Sequence, residues 1–158
     1  MDFIIQDALK QTNDGTVGDS TVGQAKIEIV GVGGGGCNMV NWLYNKGVNG
    51  AQISAMNTDK QHLDIIAADK KLLIGRELTR GLGCGGYMEK GRESAKESMH
   101  GIKEIITGAD MVFVCAGEGG GTGTGAAPVV AQVAKENGAI VIGTVTMPFE
   151  IERARVDK

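Results

Sequence analysis

Three clusters of glycine mark where this chain can do chemistry: GVGGGGCN from Gly31 to Asn38, GLGCGG from Gly81 to Gly86, and GEGGGTGTG from Gly117 to Gly125. Glycine brings no functional group, so any chemistry in these stretches belongs to the backbone. A bulky anion such as a phosphate chain is held well by unpaired N–H groups at a helix start, where the helix dipole also favours negative charge. A Cβ would keep the main chain at a distance, and glycine also allows the positive φ angles that turn successive N–H groups inward. Thr122 and Thr124 add hydroxyl donors for phosphate oxygens or a hydrated metal, and the Asn38 amide can bond phosphate or cap its own helix. Six glycines lie between Gly117 and Gly125, directly behind the apolar run MVFVCA.

The surrounding pattern supplies the elements that must position these clusters. KIEIV reads as a first strand, and Met39, Val40, Leu43 and Tyr44 fall at helical spacing before Gly47. AQISAMN is a second strand, after which Thr58 or Asp59 can cap a short helix carrying Leu63, Ile65 and Ile66. KLLIG is a third. The second glycine cluster follows it and feeds a long polar helix in which Ala95, Met99, Ile102 and Ile105 make one apolar stripe. DMVFVCA is nearly all apolar, as a central parallel strand covered on both faces should be. Behind the third cluster come a helix with Val129, Val130, Val133 and Ala134, a stop at Gly138, and AIVIGTVTM as a fifth strand. Alternating strands and helices predict an α/β fold with a doubly wound parallel sheet. In such sheets strand four lies beside strand one, and ligands bind at that switch point, outside the carboxyl ends of the strands. The clusters after strands one and four then face one crevice, and the loop from Gly81 to Gly86 leaves strand three at the same edge, where it can close over a terminal phosphate.

Composition narrows the ligand. The 158 residues suit one domain with a real core, at 42% hydrophobic residues. A net charge of −3 offers no basic field for nucleic acid or anionic lipid, and no run of 18 apolar residues exists to cross a bilayer. Cys37, Cys84 and Cys115 are odd in number and lack CxxC spacing, which predicts reduced thiols in a cytoplasmic protein and no zinc site. Residues 1–24 read as an optional helix and a mobile polar segment, and residues 25–158 as the nucleotide-binding domain.

Two nucleotide readings stand side by side. Gly31, Gly33 and Gly36 satisfy GxGxxG with Asp59 some 23 residues on, the pattern of an NAD-binding oxidoreductase. That pattern leaves Gly119 to Gly125 without a role. GxxxxGK[ST] is absent, which disfavours an ordinary P-loop enzyme.

GGGTGTG followed by AAP, together with GVGGGGCN, the NTD of Asn57 to Asp59, LTRGLGCGG and the PF of Pro148 and Phe149, resembles the tubulin-like cell-division GTPases, the tubulin/FtsZ family. The resemblance runs from about Lys26 to the end. It implies a Rossmann-like domain that binds GTP or GDP, Mg²⁺ held mainly through the phosphates and water, and protomers that stack head to tail with nucleotide at each junction. It further implies assembly at the division site with division-machinery proteins. Carried over by motif, Gly33, Gly34, Gly35, Gly36, Cys37 and Asn38 line the diphosphate. Gly119, Gly120, Gly121, Thr122, Gly123, Thr124 and Gly125 cradle it from the opposite side. Gly83, Cys84 and Gly85 sense the γ-phosphate, Pro148 precedes the ribose contact Glu152, and Arg155 stands one residue short of the family's arginine position. The GTP-binding domain is expected to be incomplete at Lys158, with the hydrolytic carboxylates in a second domain beyond it.

The remaining residues read as structural. His62 and His100 are expected on helices without partners, Cys115 as a small core hydrophobe, and Trp42 as packing. Cys37 and Cys84 are expected in loops where a bound anion raises their thiol pKa. Replacing Gly121 by Ser or Gly123 by Ala is expected to abolish ligand binding with little loss of fold.

Overall fold

The computed structural model describes Gly23 and residues 25–151. The helix and mobile segment read within residues 1–24, Gly23 apart, and the two positions Glu152 and Arg155 lie outside the described residues. Five strands, β1 (Ile27–Val32), β2 (Ala51–Asn57), β3 (Lys70–Leu73), β4 (Met111–Gly117) and β5 (Ile140–Thr146), form one all-parallel sheet in the order β3-β2-β1-β4-β5. Between them run α1 (Gly33–Lys46), α2 (Lys60–Ile65), α3 (Arg76–Thr79), α4 (Met88–Glu97), α5 (Met99–Ile106) and α6 (Thr122–Glu136). The fourth strand does pair with the first, with Val30 opposite Val114 and Val32 opposite Ala116, so the switch point falls between β1 and β4.

Strand alternation sends the apolar side chains to two separate cores. Val30, Val32, Met56, Val112 and Val114 pack with Ala95, Ile102 and Ile106 of α4 and α5 and with Val130 and Val133 of α6. On the opposite face Ile53, Ala55 and Cys115 meet Cys37 and Val40 of α1 and Leu63 of α2. Each fully buried valine or isoleucine contributes about 1.5–3 kcal/mol relative to exposure. The sheet is therefore held from both sides at β1 and β4, the two strands that carry the principal glycine clusters. β5, at the sheet edge, leaves Ile140, Ile142 and Val145 exposed.

Three local departures from the sequence reading have physical causes. The long polar helix divides at Ser98, whose hydroxyl accepts the Gly75 N–H at 2.9 Å. Ala95, Ile102 and Ile105 are buried as the stripe predicts, whereas Met99, just past the break, is exposed. β3 ends at Leu73, and Gly75 turns the chain at φ 64° into the unforeseen α3, whose first N–H groups at Glu77 and Leu78 are capped by the Glu97 carboxylate at 3.1 Å each. The first and third glycine clusters are also less loop than expected. Gly31 and Val32 complete β1, Gly33 opens α1 directly, and α6 begins inside GGGTGTG at Thr122.

Candidate functional site

The β1–β4 junction delivers two helix starts into one place. α1 has Val32 and α6 has Gly121 at the N-cap, and neither helix has a side-chain cap or an acidic residue in its first turn. The leading N–H groups of a 14-residue and a 15-residue helix are thus left for something else. By contrast α2 is capped in the ordinary way, with Asp59 Oδ1 accepting the His62 N–H at 3.0 Å. Asp59, the acidic residue of the dinucleotide pattern, thus spends its Oδ1 on this cap.

The clusters touch. Gly33 sits at φ 72°, and a Cβ there would lie 2.6 Å from the Gly123 nitrogen, so α1 and α6 approach at a distance only glycine permits. A Cβ on Gly121 would lie 2.8 Å from Cys84 Cβ, which brings the third loop against the same helix start. Thr58 at the end of β2 completes this junction, its Oγ1 lying 2.7 Å from Thr122 Oγ1 and 3.5 Å from Cys84 Sγ. All three glycine clusters therefore converge as the strand order predicts. The expected tolerance of Gly121 and Gly123 to substitution is corrected, however: a Cβ on Gly123 would lie 2.5 Å from the Gly117 carbonyl oxygen, so both positions serve the packing of the loops themselves.

Gly34 and Gly120 behave differently. Neither has a positive φ, and a Cβ at either would meet nothing within 4 Å. Gly34 lies in the first turn of α1, where glycine is a poor helix former, so the fold itself gives no reason for it. Open space lies in front of both residues. The Thr124 Oγ1 is enclosed by protein and has no hydrogen-bond partner among the described residues. Pro128, inside α6, has no N–H to return to the Thr124 carbonyl, which loosens that turn further.

Other predicted residues fall out as follows. Gly35 and Asn38 are exposed on α1, while Gly36 is buried against the Cys115 carbonyl. The Cys37 side chain is in the helix and turned inward, its thiol near the carbonyls of Gly31 and Met56, and burial pushes its pKa up to about 12. The expected cause, a nearby anion, is thus replaced by desolvation. Cys84 is buried with Thr58 and Thr122, so the Thr122 hydroxyl is engaged within the protein. Gly83 and Gly85 take positive φ values of 78° and 61° in the loop before α4. Gly119 takes φ 84° in the turn after β4, and Gly125 N–H closes the first bond of α6 onto the Gly121 carbonyl. Glu118 is half-buried and its N–H bonds the Thr146 carbonyl at 2.9 Å, and Pro148 follows β5 half-buried. Cys115 is a core residue as read, and burial raises its pKa.

Two structural readings are corrected. Trp42 is 60% exposed, with Lys46 Nζ 5.2 Å above its ring, and contributes little to a core. His62 is not without partners: its ring lies between Asn57 and Asn38. Sequence reading missed it because the contact joins three separate elements and has no periodic signature. His100 is exposed on α5, 3.6 Å from Glu104. A cavity of about 460 Å³ lies at the opposite edge of the sheet, between Lys26, Gln52 and Asp69, and contains none of the glycine clusters. No helix among the described residues is long and apolar enough to cross a membrane.

Comparison with known proteins bears on this crevice. The model of the tubulin/FtsZ family, GTPase domain, matches residues 26–158. Cell division protein FtsZ 2 of Methanocaldococcus jannaschii is 56% identical over 155 residues, covering 98% of this chain and 41% of that protein. Among solved structures, an empty FtsZ dimer from M. jannaschii superposes with a TM-score of 0.83 at 46% identity, over 95% of this chain and 42% of the other. A GTPγS-bound protofilament of CetZ2 from Haloferax volcanii superposes with a TM-score of 0.65 at 26% identity, over 83% of this chain and 43% of the other. The chain thus spans about two fifths of the length of the relatives it matches. The nicotinamide reading finds no support in these comparisons.

Proposed function

The chain belongs to the tubulin/FtsZ family through its GTPase domain, and on that premise we propose that the β1–β4 crevice binds GDP or GTP by the phosphates, as the nucleotide-binding part of a tubulin-like cell-division GTPase. The observation that carries this reading is the pair of uncapped helix starts meeting across the switch point, with open space in front of Gly34 and Gly120. Two dipole ends and their free N–H groups offer an anion what a row of lysines would otherwise supply, and they do so without side-chain entropy. Gly34, Gly35 and Asn38 take one side of the diphosphate. Gly119 to Gly121 and the start of α6 at Thr122 to Thr124 take the other. Gly83 to Gly85 are assigned to the γ-phosphate, and Pro148, Glu152 and Arg155 to the ribose side, by motif.

Magnesium fits this chemistry as a partner of the phosphates. Among the described residues no group of three or more His, Cys, Asp or Glu is placed to hold an ion, and Mg²⁺ usually keeps several waters beside substrate oxygens. When bound it supplies charge neutralisation at the β- and γ-phosphates. The residues of this chain orient the anhydride and withdraw negative charge through backbone donors.

Hydrolysis also needs a water aligned with the terminal phosphate. Asp59 is used as a helix cap, and no other carboxylate of the described crevice is free of the glycine loops it sits in. We place the water-orienting group outside these 158 residues, contributed when copies associate head to tail in the cytoplasm at the division site. That assignment rests on the family and on the dimer and protofilament states of the structural neighbours. GTP turnover measured against protein concentration tests it. The 158-residue polypeptide should turn over at background, and a longer polypeptide of this family's length should show turnover rising more than linearly. Concentration-independent turnover by the 158-residue chain would place the catalytic group inside it.

A further inference from the structure

We propose that His62 is a positioning residue for the nucleotide site, fixing the Asn38 carboxamide so that its N–H groups face the anion. The inference rests on the nucleotide reading above and concerns a residue outside the glycine motifs. Asn57 ends β2 and is 2% exposed, so its amide is not free to turn. Its Oδ1 accepts the Thr58 N–H at 2.9 Å, which leaves Nδ2 as the group 3.1 Å from His62 Nδ1. An amide nitrogen can only donate, so Nδ1 of the imidazole must accept. In the neutral ring the proton then sits on Nε2, and Nε2 lies 3.0 Å from Asn38 Oδ1. The chain of donors is complete: Thr58 N–H sets Asn57, Asn57 sets the imidazole tautomer, and the imidazole takes the Asn38 oxygen.

The consequence lies on α1. With Oδ1 held, Asn38 cannot turn its oxygen toward the crevice, where an acceptor would repel phosphate. Its Nδ2 has no acceptor among the described residues. Without that contact the Asn38 amide is unrestrained and its oxygen can take the place of the donor. His62 removes that orientation before the ligand arrives, which is preorganisation. The imidazole itself stays one residue removed from the ligand, and its backbone N–H is already engaged by Asp59.

The test is a GDP titration of the 158-residue chain and four variants, with thermal midpoints recorded for each. His62→Leu should weaken GDP binding about tenfold, the loss of one oriented donor. His62→Gln, whose amide nitrogen can stand for Nε2, should recover most of that. Asn38→Ala should weaken binding, and adding His62→Leu to it should cost nothing further, because His62 acts through Asn38. The imidazole ¹⁵N shifts of the unaltered chain should report the Nε2–H tautomer. Binding by His62→Leu within twofold of the unaltered chain, multiplicative losses in the double variant, or an Nδ1–H tautomer would each overturn the inference. Should His62→Leu fail to fold, the glutamine variant and the tautomer decide it. Absence of GDP binding by the unaltered chain removes the nucleotide reading and this inference with it, whereas tight binding indifferent to His62 removes only the inference.

Discussion

Gly34→Ala separates what the fold needs from what the ligand needs. Gly34 lies in the first turn of α1 with an ordinary helical backbone, and its Cβ would meet nothing within 4 Å. Alanine exceeds glycine by about 0.8–1 kcal/mol in a helix interior, and somewhat less in a first turn. The variant should therefore be more stable by about 0.5–1 kcal/mol, a rise of roughly 1–4 °C in Tm for a chain of this size. The same methyl group would stand in the space left for phosphate. Displacing an anion by about 1 Å stretches N–H···O bonds of about 2.9 Å past useful length. Losing one charge-assisted bond costs about 1.5–3 kcal/mol, so GDP should bind at least tenfold more weakly. Gly123→Ala supplies the contrast, since its Cβ would strike the Gly117 carbonyl and lower the Tm. Differential scanning fluorimetry and GDP titration read both effects. A Gly34→Ala chain that is stabilised but binds GDP as well as before would refute the reasoning, because the open space would then not be the ligand's.

Two further outcomes follow from buried polar groups. Thr58→Val keeps the shape of a fully buried side chain but removes the hydroxyl shared with Thr122 and Cys84; thermal unfolding should show a loss of about 1–2 kcal/mol, and an unchanged Tm would mean the junction is held by packing alone. Glu28 is fully buried on β1, its Oε1 bonded by the Ser54 hydroxyl and its Oε2 without a partner, and burial raises its pKa above 4.5 against the lowering effect of Ser54. The folded state thus holds a proton that the unfolded chain releases, so Glu28 adds stability at low pH that is lost as pH climbs from 4.5 through the raised value. Glu28→Gln should raise the Tm at pH 7 and bring no gain near pH 4, and a gain equal at both would contradict the buried-charge account.

The strand order and the crevice were legible because both depend on patterns that survive in one dimension. MVFVCA could only be a covered parallel strand, and glycine clusters behind strands one and four had to meet once strand four lay beside strand one. Less legible was what each glycine does. Gly123 and Gly34 look alike in sequence, yet one is fixed by a carbonyl 2.5 Å from where its Cβ would be and the other faces open space. Cys37 read as a loop thiol because GVGGGGC reads as a loop; in fact α1 begins four residues earlier and turns the thiol into the core. The break at Ser98 and the role of His62 depend on partners in other elements, Gly75 for one and Asn38 and Asn57 for the other, which no local spacing encodes.

The most direct test is to titrate the ¹⁵N-labelled chain with GDP, and separately with NADH, while following its backbone amides. A crevice that grips phosphate through two helix starts predicts that GDP moves the amides of Gly34, Gly35, Gly120 and Gly121 most, and saturably, with NADH far weaker. GDP shifts scattered elsewhere, or NADH binding more tightly at these same amides, would contradict it.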